Sequence, residues 1–261
     1  MVTKHTILSE KELNLLESLI ANHGNIIEFK NFYDQTKSFL SRQEAINLVM
    51  KLKKNGWLIP IKKGVYAIAD ISSHGFTNIS PLIIAKTLVD ESYVSFEGAL
   101  SHYDLFEQMV KSIISITSQK PRFYRFQDLN YKFLKIKSQL YFGFKGINIE
   151  GHKAQVAELE KIFLDYLYFR NDSYSIDLIW EKLNKGKEQI NFKKMVDYSL
   201  KFPLTTKRKL GFLLDKLGEN TQELLKVIHK KGYSHLTKNS KKFNSKWRIY
   251  YEYRFDYSLS T

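Results

Sequence analysis

Apolar residues recur at helical spacing between positions 41 and 54, and this stretch organises the N-terminal part of the chain. Ser41 is followed three residues later by Glu44, the spacing of a capping box, which predicts that a helix begins here. The apolar positions fall at i, i+3, i+4 and i+7, as expected for one buried helical stripe. They are Ala45, Leu48, Val49 and Leu52.

The flanking pattern completes a small module. Asn55-Gly56 ends the helix, and the apolar runs Trp57–Ile61 and Val65–Ala69 around Lys62-Lys63-Gly64 predict a hairpin. Upstream, a second capping box begins a helix that runs to about residue 22, and aromatic spacing predicts a short helix from Glu28 to about Thr36. Three helices and a hairpin within about 70 residues are the order of a winged helix-turn-helix, predicted here for residues 1–70.

The face of the third helix opposite its apolar stripe carries amide and basic side chains. Gln43 and Asn47 can pair with base edges, and Arg42 can reach a base or a phosphate. Lysines on the helix and at the hairpin tip can neutralise phosphates. An ordinary solvated helix face is the alternative. The predicted DNA-binding residues are Ser41, Arg42, Gln43, Asn47, Lys51, Lys54, Lys62 and Lys63.

The polar stretch Asp70–Asn78 predicts a linker to a larger domain of mixed α/β structure covering residues 79–261. The fold class expected for the whole chain is therefore α+β. Helices are expected at about 80–88, 95–103, 155–169, 175–183, 192–200 and 206–217. Strands are expected at 112–118, 123–126, 131–136, 140–144, 147–150 and 247–255.

The charge balance points to a nucleic-acid partner. The 261 residues include 41 Lys plus Arg against 27 Asp plus Glu, a formal net charge of +14. A hydrophobic fraction of 43% argues for packed cores. The absence of cysteine excludes disulfides and thiolate metal sites. A polar N-terminus and the lack of any apolar run near the roughly 18 residues of a membrane span predict a cytoplasmic protein without membrane contact.

Catalytic and metal-binding motifs are weak, so we expect no enzyme activity, metal or cofactor. Glu158, Glu160 and Asp165 could suggest a metal-dependent nuclease, but such a site draws carboxylates from separate elements. Residues 146–153 miss the phosphate-loop pattern, which favours a glycine-bounded strand. The seven histidines lack zinc-helix spacing. Aromatic and basic residues alternate in Phe123–Phe126 and Trp247–Phe255, where core packing is favoured over stacking on RNA bases.

Several blocks together resemble the AbiEi-type antitoxins, regulators found in abortive-infection systems. The blocks are Lys63–Tyr66, Tyr93–Leu105, Val156–Asp165 and Arg208–Leu214. The resemblance covers about residues 8–217 and depends on the order and spacing of these blocks. Leu159 departs from the pattern, because the family usually has proline there, and this puts the local turn before the helix in question.

The resemblance implies a winged-helix DNA-binding domain joined to an effector domain. It implies a transcriptional autorepressor of a type IV toxin–antitoxin operon that binds promoter DNA. It also implies a partner toxin of the nucleotidyltransferase type, counteracted without a tight protein–protein complex. The alternative function is that of a regulatory module that binds RNA or protein and does not recognise an operator. In that case the second domain would contact the RNA.

Overall fold

The computed structural model describes residues 7–70, 79–228 and 231–257. The fold is of the mixed α+β class, as predicted. It divides into two compact units, residues 1–90 with 147–154, and residues 91–146 with 155–261. The predicted linker lies almost wholly at residues 71–78, outside the described part of the chain. The division differs from the predicted 1–70 and 79–261, because the helix Pro81–Leu88 packs on the strand Leu58–Lys62 of the first unit.

The first unit contains four helices and a three-stranded sheet within its described residues. In chain order the elements are α1 (Glu10–His23), β1 (Ile26–Glu28), α2 (Phe29–Thr36), α3 (Arg42–Lys54), β2 (Leu58–Lys62), β3 (Val65–Ile68) and α4 (Pro81–Leu88). The sheet order is β1-β3-β2, with both pairs antiparallel. Pro60 lies on β2, where an edge strand tolerates a residue that has no N–H donor.

The core of this unit forms where the helices meet the sheet. Leu16 and Leu19 of α1, Phe32 of α2 and Leu52 of α3 are completely buried. Ala45, Val49, Trp57, Leu58 and Ile68 complete the same cluster. The predicted helical stripe of α3 is therefore confirmed at Ala45, Val49 and Leu52, while Leu48 is half-buried. The sequence pattern did not predict β1, because a three-residue strand is too short to show a period.

The second unit is built around a six-stranded mixed sheet, of which residues 147–154, at the connected ends of the last two strands, fall in the first unit. Its strands are β4 (Ser92–Val94), β5 (Ser112–Thr117), β6 (Arg122–Phe126), β7 (Leu129–Lys135), β8 (Phe144–Ile149) and β9 (His152–Ala157), in the order β6-β7-β5-β4-β9-β8. The helices are α5 (Phe96–His102), α6 (Leu159–Phe169), α7 (Ser173–Lys185), α8 (Phe192–Ser199), α9 (Leu204–Lys216) and α10 (Gln222–Val227). A second sheet has the order β10 (Ser234–His235), β12 (Ile249–Tyr251), β11 (Lys242–Asn244).

Four predicted elements of the chain after residue 139 differ in detail from the structure. The helix expected from residue 155 begins at Leu159, because residues 152–157 form β9, which pairs with β4. The strands expected at 140–144 and 147–150 are one strand, β8, preceded by a 3₁₀ turn at Ser138–Leu140. The expected strand 247–255 is reduced to β12, followed by a 3₁₀ turn at Tyr253–Asp256.

Residues 146–153 form part of a hairpin, in agreement with the glycine-bounded strand preferred over a phosphate loop. Glu150 and Gly151 both have positive φ, 50° and 80°, and form the turn between β8 and β9. Within the described ranges, no helix combines the length and apolar character needed to cross a membrane.

Candidate functional site

Helix α3 begins where the capping box places it. The Ser41 hydroxyl donates to Glu44 Oε2 at 2.7 Å and accepts from the Glu44 N–H at 3.3 Å, while the Ser41 N–H donates to the same carboxylate at 2.8 Å. These hydrogen bonds from Ser41 lower the pKa of the Glu44 carboxyl. The cap holds the first turn of α3 in place, and it engages the hydroxyl of Ser41, one of the predicted DNA contacts.

The outer face of α3 presents Gln43, Asn47 and Lys54, each exposed and each about one or two helical turns from the next. Gln43 Nε2 donates to Asn47 Oδ1 at 3.1 Å. The bond leaves the Gln43 carbonyl oxygen and the Asn47 amide group with hydrogen-bonding capacity. An acceptor beside donors is the combination that pairs with the N6 and N7 edge of adenine. The structure therefore brings the two predicted base-reading residues together.

Two apolar side chains also lie on the exposed surface of α3. Met50 is 56% exposed and Ile46 is 38% exposed. The sequence prediction assigns neither residue to the buried stripe or to the polar face. Each lies one residue after a buried position of the stripe, Ala45 or Val49, and this offset is the signal in the sequence that identifies them as exposed. Apolar groups at this position can contact the methyl group of thymine.

Lys51 is directed towards α1. Its Nζ lies 2.8 Å from Glu12 Oε1, and this bond is the main cause of the lowered pKa of Glu12. Glu12 is also the partner of Ser9 in the capping box of α1. Lys51 thus connects α3 to the start of α1, although its side chain is exposed, as are those of Arg42 and Lys54. The structure separates Lys51 from the other predicted cations by giving it a carboxylate partner.

The hairpin between β2 and β3 is braced at its tip. Lys62 and Lys63 are exposed, and Gly64 has a φ of 74°, a left-handed conformation that favours glycine. The Phe29 N–H donates to the Gly64 carbonyl oxygen at 2.8 Å, which connects the tip to the first residue of α2. The two lysines therefore project from a short turn with a fixed backbone.

The acidic residues considered for a nuclease site have protein partners. Asp165 is completely buried and accepts from Lys161 Nζ, from Ser95 Oγ at 2.9 Å and from Tyr93 OH at 3.3 Å. Burial raises the pKa of Asp165 and lowers that of Lys161, and their attraction opposes both shifts. This buried cluster was not predicted.

Glu158 and Glu160 do not join Asp165 in a cation site. Tyr198 OH donates to Glu158 at 2.6 Å, and the Asn191 N–H donates to Glu160 at 3.0 Å. Lys194 Nζ lies within 3.3 Å of both carboxylates. Within the part of the chain that the structure describes, no group of three or more His, Asp or Glu residues could hold a metal ion.

Comparisons with known proteins give a structural likeness. No family profile and no curated protein matches the chain. The crystal structure of the RV2827C protein from Mycobacterium tuberculosis is similar, with a TM-score of 0.66 and 12% sequence identity. The alignment covers 96% of this chain and 94% of that chain. At this identity the likeness concerns the fold, which the two proteins share over almost their whole lengths.

Proposed function

We propose that the protein is a transcriptional autorepressor that binds its promoter DNA through a winged helix-turn-helix, and that it is the antitoxin of a type IV toxin–antitoxin operon. The observation that carries the DNA-binding part is the outer face of α3 next in sequence to the lysine-tipped hairpin. The order α1-β1-α2-α3-β2-β3, with β3 between β1 and β2, supports the assignment of α3 as recognition helix and of β2–β3 as wing.

The chemistry of this surface supports a division of labour. Gln43 and Asn47 read bases, because their amides offer an acceptor and donors at adjacent positions. Arg42 contacts a base or a phosphate at the start of the helix. Lys54, Lys62 and Lys63 neutralise phosphates, which contribute affinity without sequence preference. The proposal gives Lys51 a supporting role, since its ammonium group is bound to Glu12.

Binding titrations test the repressor proposal. Full-length protein is titrated with a duplex of its own promoter region and with a scrambled duplex of equal length, at several salt concentrations. We expect tighter binding to the promoter and a linear fall of log affinity with log salt, at about 0.9 per neutralised phosphate. Equal affinity for both duplexes at every salt concentration would contradict operator recognition.

The antitoxin part rests on the resemblance of the motif blocks to AbiEi-type antitoxins. Two of these blocks supply the buried cluster, since Tyr93 and Ser95 come from one and Lys161 and Asp165 from the other. Co-expression with the nucleotidyltransferase-type toxin of the same operon should restore growth, and pull-down should recover no tight complex. Full-length protein that fails to rescue growth would remove the antitoxin role and leave repression standing.

A further inference from the structure

The sheet β10-β12-β11 has two faces of different character. Its inner face packs on α9, where a Cβ added to Gly211 would lie 2.0 Å from the ring of Trp247. Leu236, Ile249 and Tyr251 are buried on the same side. One face of the sheet therefore forms the core of this region, and the outer face is not needed for core packing.

Three aromatic side chains form a row across the outer face. The strand register pairs His235 with Tyr250 and Phe243 with Tyr250. The His235 and Tyr250 rings are stacked with centroids 4.8 Å apart, and those of Phe243 and Tyr250 are 5.0 Å apart. Tyr233 meets the edge of the row, 5.3 Å from the Tyr250 ring. We call these four residues the aromatic row.

The ends of the aromatic row are exposed. Phe243 is 42% exposed on the edge strand β11, and Tyr233 is 61% exposed before β10. The Tyr250 ring lies between two other rings. A ligand can therefore reach ring faces on Phe243 and Tyr233, at the ends of the row. Cross-strand aromatic pairs stabilise a sheet. This stabilisation does not explain why the outermost rings are exposed to solvent. An exposed cluster of this kind is typical of a binding surface.

The surroundings of the row are basic. Residues 231–257 contain seven Lys and Arg and two acidic residues. Asp256 is bound by Lys216 and Lys242, and Glu252 by Thr237 and Arg254. Two carboxylates of neighbouring helices pair with cations of this segment, Asp215 of α9 with Lys246 and Asp177 of α7 with Arg254. Lys238 and Lys241 are exposed in the connection before β11. The Lys241 N–H donates to the Tyr251 carbonyl oxygen at 3.1 Å and so continues the strand pattern, which puts Lys241 on the side of Phe243. The charge beside the aromatic row is therefore complementary to an anionic chain.

We propose that the aromatic row binds single-stranded nucleic acid, with bases stacked on Phe243 and Tyr233 and phosphates beside Lys238 and Lys241. Aromatic rings within a basic surface bind single strands in this way, because every base has a π-face. An apolar peptide would fit less well, because the aliphatic residues Leu236 and Ile249 of these strands are both buried. The proposal is independent of promoter recognition by α3.

The test uses full-length protein and fluorescein-labelled oligonucleotides, U15 and dT15, followed by anisotropy at low salt. Phe243→Leu removes the aromatic face and keeps an apolar side chain. We expect it to weaken binding about fivefold or more, the lower end of the effect of one stacked base. The matched control is Phe123→Leu on β6, because Phe123 is 60% exposed on the other sheet, next to Arg122 and opposite Lys132. It should bind as the wild type does.

Further variants distinguish single-strand binding by the aromatic row from promoter binding by α3 and from unfolding of the protein. Lys241→Ala should reduce the salt slope by about 0.7 for one phosphate contact. Tyr233→Leu changes a residue outside the strands, and should weaken binding without lowering the melting temperature. A Gln43→Ala, Lys63→Ala variant should bind both oligonucleotides normally. Tighter binding of U15 than of dT15 would assign the site to RNA. Equal affinity for the two oligonucleotides would assign it to single strands of either kind.

Two results would overturn the proposal. One is undetectable binding of both oligonucleotides by the wild-type protein, which would leave the aromatic row as cross-strand packing or as a surface for a protein partner. The other is wild-type affinity in both Phe243→Leu and Tyr233→Leu, which would place any single-strand binding elsewhere in the protein.

Discussion

Helices α3 and α6 dispose their polar side chains in opposite ways. On α3, Gln43, Asn47 and Lys54 are exposed, and the apolar stripe faces the core. On α6, Lys161 and Asp165 are completely buried, and Glu160 is 5% exposed. An amphipathic pattern identifies the solvent face only where one side of a helix meets water. On a helix that is covered all round, polar residues lie inside and satisfy one another.

The difference gives the two sets of residues different roles. Exposed amides on a capped helix contribute little to stability and can be used for recognition. A buried ion pair makes the fold depend on both partners, because a single unpaired charge in the interior is costly. Substitutions on α3 should therefore change binding, and substitutions in the buried cluster of α6 should change folding.

The largest effect is expected from Asp165→Asn. It leaves the Lys161 ammonium group buried without its carboxylate partner, which costs about 3–5 kcal/mol of unfolding free energy. Urea unfolding of the full-length protein measures the loss. A Lys161→Met, Asp165→Leu double variant should lose less, because no charge is left unpaired. A single variant within about 1 kcal/mol of the wild type would mean that the pair is dispensable.

A smaller effect, on DNA binding, is expected from Lys63→Ala. In the proposed function this lysine contacts a phosphate, so both promoter and scrambled duplexes should bind more weakly, with the salt slope reduced by about 0.9. Lys37→Ala is the matched control, since Lys37 is exposed in the same unit and paired with Asp34. If Lys63→Ala alters binding of the promoter alone, the hairpin is reading sequence and its assignment to phosphates is wrong.

Lys51→Ala should have a modest effect of another kind. Lys51 is 61% exposed, and a pair of this exposure contributes about 1 kcal/mol or less. We expect a small loss of stability in urea unfolding. Because Glu12 has a lowered pKa, the contribution of the pair is present above the ordinary value of 4.5 and is lost as the pH falls through the folded-state pKa. The wild type and Lys51→Ala should therefore converge in acid, and a constant difference down to low pH would contradict this origin.

The smallest effect concerns Asp256, beside the second sheet. Hydrogen bonds from Lys242 foremost, and from Lys216 and Tyr251, lower the pKa of Asp256 to about 2 from its ordinary 3.8. Its stabilising contribution is present above pH 3.8 and is lost as the pH falls towards about 2. The stability difference between wild type and Asp256→Asn should shrink over that range in urea unfolding. A stability difference that stays constant from neutral pH down to about pH 2 would contradict this origin.

Local chemistry explains which parts of the fold could be predicted. The capping boxes at Ser9 and Ser41 are confirmed because each depends on residues three positions apart. The sequence pattern predicts a helix from residue 155 and does not show β9, because this strand is stabilised by a distant strand, with Val94 opposite Val156. The strand expected at 247–255 is limited to β12. Arg248, just before β12, has a φ of 51°, and a 3₁₀ turn follows the strand.

In the candidate sites, too, local contacts could be predicted from the sequence and contacts between distant elements could not. The amide pair on α3 could be predicted from spacing, since Gln43 and Asn47 are one turn apart. The pairing of Lys51 with Glu12 could not, because it joins two helices whose packing the sequence pattern does not show. The aromatic row likewise depends on the register of three short strands, so Phe243 and His235 gave no signal in sequence.

Whether the outer face of α3 reads DNA sequence can be decided by a single ratio of affinities. The affinity for the promoter duplex divided by that for a scrambled duplex is measured for the wild type, Asn47→Ala and Asn22→Ala, an exposed amide on α1. We predict that Asn47→Ala loses about 1–3 kcal/mol on the promoter alone, lowering the ratio about fivefold or more, while its stability and the ratio of Asn22→Ala stay unchanged. A wild-type ratio retained by Asn47→Ala, and by Gln43→Ala measured alongside it, would contradict the assignment of α3 as the reading helix.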